Sequence, residues 1–126
     1  IKDLSGKNAE LAGLGSVARW VLERGIPLEI SPSSNLQTGA IAAWGSTLAD
    51  HPFDPLYRLG FAVSVNTDNR LMSSTTLTKE LSLLATQWGY GMTELLEFQL
   101  TAASASFMKF DDREAVVDRL VSAYAL

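Results

Sequence analysis

Near the start of the chain, Leu11, Leu14, Val17, Ala18, Val21 and Leu22 recur at steps of three and four. That spacing puts them on one stripe and predicts a helix from about Asn8 to Glu23, stopped by Gly25. Ile26–Ser31 is a short apolar run with Pro27 at its entrance, where a missing N–H donor is tolerated, and it predicts a buried strand. The run ends at Ser31-Pro32-Ser33-Ser34-Asn35, and from there to Asp50 the residues are small, polar or glycine. A loop of that length exceeds the usual connection and is a candidate functional segment. Trp44 lies within it, as lid or as packing.

Asp50 is placed to cap a short helix with Pro52 near its first turn and Phe53, Leu56, Tyr57 and Leu59 on its apolar face, ending at Gly60. Phe61–Asn66, β-branched and mostly apolar, predicts a second strand that runs directly into Thr67-Asp68-Asn69-Arg70. A further helix can start near Thr76, carries Leu77, Leu81 and Leu84 on one face, and is broken by Gly89-Tyr90-Gly91. Thr93 is placed to cap the next, which runs to about Phe107. Asp111 and Glu114 have capping-box spacing for a last helix with Val116, Leu120 and Tyr124 on its stripe.

Strands alternating with helices imply an α/β fold with parallel pairing and right-handed crossovers. A parallel sheet needs both faces covered and more than two strands. Two strands therefore predict the last part of a larger α/β fold.

Composition narrows the classes. Of 126 residues 47% are apolar and 19% charged, with four prolines and nine glycines, which fits a chain folded around a core and excludes disorder, collagen and a coiled coil. No apolar run reaches the roughly 18 residues of a spanning helix, so no membrane partner is expected. Ten basic and fourteen acidic residues give a net charge of −4 without a basic stripe, which argues against nucleic acid as a partner. Cysteine is absent. That removes disulfides, thiolate zinc sites and cysteine nucleophiles, and suits a cytoplasmic setting.

Asp68-Asn69, at the mouth of the second strand, is the strongest chemical signal. In (β/α)8 barrels catalytic groups project from the C-terminal ends of the strands, and a carboxylate there can bind a metal; the plainer alternative is a turn cap. Ser33, Ser34 and Asn35 follow the first strand and share a rim with Asp68 if the strands are neighbours, where they, and Ser34 in particular, could orient ligand-binding groups; equally, they are what any turn after a strand would contain. His51 is the only histidine. Beside Asp50 and Pro52 at a helix start, it reads as a packing or capping residue rather than a metal ligand. Gly13-Leu14-Gly15 lacks the preceding strand and third glycine of a dinucleotide fingerprint, and Gly6-Lys7 lacks the upstream glycine of a phosphate loop. Nothing ties His51 to a serine, so no nucleophilic triad is indicated.

Leu28-Glu29-Ile30-Ser31-Pro32-Ser33-Ser34-Asn35-Leu36-Gln37-Thr38-Gly39-Ala40, His51-Pro52 and Val63-Ser64-Val65-Asn66-Thr67-Asp68-Asn69-Arg70-Leu71-Met72-Ser73 together resemble the closing third of the adenosine deaminase family, particularly its actinobacterial-type members. The similarity extends to Ala102–Phe107. It implies strands seven and eight, with their helices, of a (β/α)8 TIM barrel of the metal-dependent hydrolase type. Residues 1–126 are then the C-terminal segment of a single barrel domain whose N-terminal part lies outside this chain. Such a barrel takes about 250 residues. The activity implied is zinc-dependent hydrolytic deamination of adenosine and deoxyadenosine to inosine and ammonia, absent without the N-terminal part.

On this resemblance Asp68 is the aspartate zinc ligand, a catalytic residue whose second oxygen helps orient the attacking water. The family's His-x-His, its further histidine ligand, its glutamate proton shuttle and the histidine beside the water lie outside this chain. Asn69 stands where many members carry a second aspartate that contacts N7 of the purine. N7 accepts a hydrogen bond, so an aspartate must be protonated to donate to it, whereas an asparagine amide donates at any pH. The implied partners are a purine nucleoside and the remainder of the barrel. A deaminase of adenine or of a modified nucleoside is the runner-up, and an independent α-rich module binding through Gln37–Asp50 is the reading from another class.

Overall fold

The computed structural model describes residues 13–125. The Asn8–Ala12 part of the expected first helix and Gly6-Lys7 lie outside the described residues. Helix α1 spans Ser16–Glu23 and starts after Gly15, whose backbone is extended (φ −68°, ψ 169°). Glycines on both sides of Leu14 each disfavour helix by about 1 kcal/mol, so Leu14 is buried beside the helix rather than within it.

Strand β1, Leu28–Ile30, pairs in parallel with β2, Val63–Val65, in the register Leu28↔Val63, Glu29↔Ser64 and Ile30↔Val65. The ladder is shorter than either apolar run. Its ends close with Leu28 N–H on Ala62 O at 2.7 Å and Asn66 N–H on Ile30 O at 2.8 Å. The pleat turns Leu28, Ile30, Val63 and Val65 toward the helices, and Glu29 and Ser64 to the opposite face.

Between β1 and the long loop lies a helix that the sequence does not announce: α2, Pro32–Gln37, with proline at its first position. The turn expected at Ser31-Pro32-Ser33-Ser34-Asn35 is therefore helical, and Asn35 N–H bonds to Ser31 O at 2.8 Å. Turns follow, in which Ile41 is buried and Trp44 half-buried. Asp50 closes a 3-10 turn, Leu48–Asp50, by accepting the N–H and hydroxyl of Thr47 at 3.2 and 2.7 Å. It does not cap the next helix. Helix α3, Phe53–Arg58, begins after Pro52, and its first N–H is taken by Nδ1 of His51 at 3.1 Å.

Helix α4, Leu77–Trp88, has the expected ends: Thr76 Oγ1 accepts Lys79 N–H, and Gly89 is left-handed (φ 73°). Helix α5, Met92–Ala105, starts one residue before Thr93 because Glu94 reaches back to Gly91 N–H at 2.8 Å. Helix α6, Phe110–Ala123, starts after Lys109 without a side-chain cap. Asp111 and Asp112 fall inside its first turn, where negative charge complements the helix dipole.

Helix α5 packs against β2 and α6. The core is centred on Phe53 and Phe98, 0% and 1% exposed, in edge contact at 5.1 Å with planes at 87°. Trp88 stacks on Phe53, while Tyr57 and Tyr90 meet Phe98 edge-on at 5.1 and 5.3 Å. Such ring pairs add about 0.5–1.5 kcal/mol each beyond area burial. They fix α3, α4 and α5 behind the two strands. Among the described residues no helix is long and apolar enough to cross a membrane.

Candidate functional site

Parallel strands end on the same side, so the residues after Ile30 and after Val65 share one rim. There Ser34, buried on α2, donates its hydroxyl to Oδ2 of Asp68 at 2.7 Å. Asp68 is exposed, and its backbone lies in the left-handed region (φ 53°). Aspartate visits that region more readily than most side chains, yet a non-glycine residue there costs on the order of 1–3 kcal/mol and persists where neighbours over-determine it.

Asn69, next along, is exposed. Its Oδ1 accepts Met72 N–H at 3.0 Å, and its carbonyl accepts Ser73 N–H at 3.0 Å. The network thus assigns the amide: oxygen inward to the turn, with the nitrogen, a donor, facing the other way.

Asn35 and His51 form a separate pair. His51 is 3% exposed, its Nδ1 accepts Phe53 N–H, and its Nε2 lies 3.1 Å from Oδ1 of Asn35. With Nδ1 an acceptor, Nε2 carries the proton and donates to Asn35, so the ring is neutral. Burial pushes its pKa down from 6.5 to about 4. Both nitrogens are occupied, as suits a capping and packing residue.

Glu80 is the residue at this rim that no motif singles out. Its side chain is fully buried; Oε2 accepts the backbone N–H of Ser33 at 3.0 Å, and Oε1 accepts the hydroxyl of Thr75 at 2.5 Å. A signal exists: Glu80 lies three residues after Leu77 and four before Leu84, on an otherwise apolar stripe.

Among the described residues no group of three or more His, Cys, Asp or Glu side chains could hold a metal ion. The rim offers one suitable carboxylate, Asp68. An ionised carboxylate has about four lone-pair directions, so the bond from Ser34 leaves capacity for a cation. A cleft of about 680 Å³, lined by Gly25, Pro27, Gly60, Glu97 and Ser104 among others, lies at the opposite ends of the strands, away from Asp68.

The family model described as adenosine deaminase matches residues 15–123. The chain belongs to the adenosine deaminase family. It is 46% identical over 110 residues to an adenosine deaminase of Mycobacteroides abscessus, an alignment covering 87% of this chain and 29% of that protein. Among solved structures it is similar to an adenine deaminase from Arthrobacter aurescens (TM-score 0.79, 20% identity, 87% of this chain and 32% of that one). It is also similar to an amidohydrolase from Burkholderia ambifaria solved with bound zinc (TM-score 0.64, 20% identity, 86% and 32%). The fold is thus that of about a third of a longer α/β deaminase chain, consistent with the C-terminal portion of its barrel. Within this family segment the rim holds Ser34, Asp68 and Asn69 together and leaves His51 out.

Proposed function

We propose that this chain supplies the closing part of a zinc-dependent adenosine deaminase, which converts adenosine or deoxyadenosine and water to inosine or deoxyinosine and ammonia. The observation that carries the reading is the Ser34–Asp68 hydrogen bond at the C-terminal ends of two paired parallel strands. On this reading β1 and β2 are the seventh and eighth barrel strands, residues 1–126 belong to one barrel domain, and the activity requires the N-terminal part that the longer relatives carry.

Asp68 contributes one ligand to the zinc and helps orient the water. Zinc, when bound, supplies Lewis acidity that makes a water nucleophilic near neutral pH. Ser34 holds one oxygen of Asp68, restricting rotation of the carboxylate. Asn69, its oxygen tied to Met72 N–H, presents its amide nitrogen as the donor to N7 of the purine. The family match over residues 15–123 favours this over an independent binding module. Adenine or a modified nucleoside is the runner-up substrate.

The test is a hybrid in which this chain replaces the matching segment of the M. abscessus relative. It should bind one zinc and deaminate adenosine in preference to adenine and N6-modified nucleosides. In the hybrid, Asp68→Ala should abolish turnover and weaken zinc retention; a fully active Asp68→Ala hybrid removes the ligand assignment.

A further inference from the structure

We infer that Glu80 is a positioning residue that sets the direction of the Asp68 carboxylate without touching it, an inference that rests on the zinc-ligand role proposed above. Glu80 closes a ring of contacts around the rim. One oxygen holds Ser33 N–H in the first turn of α2, and the next residue, Ser34, bonds Asp68. The other oxygen holds Thr75, the far end of the loop that begins at Asp68 and returns through Ser73 N–H on Asn69 O and Thr75 N–H on Arg70 O. The ring therefore restrains Asp68 from both sides.

Two features call for such a clamp. The residue preceding α2, Ser31, makes no side-chain cap, and Pro32 has no N–H, so the first turn of this six-residue helix takes its acceptor from 47 residues away. Asp68 keeps a left-handed backbone, which surrounding contacts must enforce. Glu80, fully buried in the first turn of α4, ties both to a helix that is well capped at each end.

The experiment uses the full-length hybrid and reads zinc affinity by chelator competition, with thermal unfolding in parallel. Glu80→Ala should weaken zinc about 10–100-fold, the range for residues that orient a metal ligand. Glu80→Gln should restore affinity to within about threefold, because its amide oxygen accepts Ser33 N–H while its nitrogen donates to the Thr75 hydroxyl. Thr75→Val, which leaves the Ser33 contact in place, should give an intermediate loss and carries the test if Glu80→Ala does not fold. Since the Ser33 contact acts through Ser34, Glu80→Ala should weaken zinc less in a Ser34→Ala background than alone, whereas Thr75→Val, which acts through the loop from Asp68 to Thr75, should weaken it by a similar factor in both.

A parent hybrid that binds no zinc removes the proposed function and this inference with it. If the parent binds zinc and loses it in Asp68→Ala, but the folded Glu80→Ala and Thr75→Val proteins keep parental affinity, the positioning role alone falls. Fully multiplicative losses of Glu80→Ala with Ser34→Ala overturn it as well.

Discussion

Acid should destabilise this fold through one histidine. His51 is neutral and doubly engaged, and protonating Nδ1 would turn the acceptor of Phe53 N–H into a second donor facing it. Its pKa falls from 6.5 to about 4 through burial. The folded state therefore binds fewer protons than the unfolded state between those values, so stability rises with pH across the window and falls on acidification. The slope approaches 1.36 kcal/mol per pH unit there, and about 2 kcal/mol should be lost between pH 7 and pH 5. His51→Asn keeps a δ-position acceptor for Phe53 N–H and cannot titrate. Urea unfolding of the hybrid and its His51→Asn variant at pH 7, 6 and 5 measures the difference in slope. The variant should be less stable at pH 7, having lost the bond to Asn35, yet lose about 2 kcal/mol less on going to pH 5. Parallel pH profiles in the two proteins would refute the assignment of the acid sensitivity to this ring.

Three further changes probe other parts of the fold. Asn69→Asp should make the KM for adenosine rise between pH 6 and pH 8.5, because a carboxyl donates to N7 only when protonated; unchanged affinity at neutral and alkaline pH in steady-state assays removes the proposed contact. Phe98→Ala opens the centre of the aromatic cluster and should cost about 3–5 kcal/mol in denaturant unfolding, whereas less than 1 kcal/mol would contradict its place there. Ser74 is exposed and left-handed (φ 48°), so Ser74→Gly should stabilise by up to about 1 kcal/mol, seen as a raised Tm; a lowered Tm counts against strain at this turn.

What could be read from the sequence was set by local chemistry. Helix α4 is announced by Thr76 at one end and Gly89 at the other, and both act as their chemistry predicts. Helix α2 could not be read, because Ser31-Pro32-Ser33-Ser34-Asn35 has the composition of a turn and its first-turn acceptor comes from Glu80 across the fold. Asp50 and Thr93 are good cap residues displaced by stronger neighbours: Asp50 by its own bonds to Thr47, Thr93 by Glu94 reaching Gly91. At the rim, the nearness of Ser34 to Asp68 follows if the two strands are neighbours, whereas their hydrogen bond depends on α2, which the sequence does not announce. Glu80 was hidden because a charge on an apolar stripe has no meaning until its partners arrive from elsewhere.

The 47-residue span between Ser33 and Glu80 also has a consequence in time. A ribosome adding about 5–20 residues per second needs about 2–9 s to cover it. Ser33 and Thr75 are both made before Glu80, so until it is made the Ser33 N–H and the Thr75 hydroxyl lack the acceptor that the folded chain gives them. The hydrogen bonds that Glu80 makes at the rim can therefore close only once the first turn of α4 has been made.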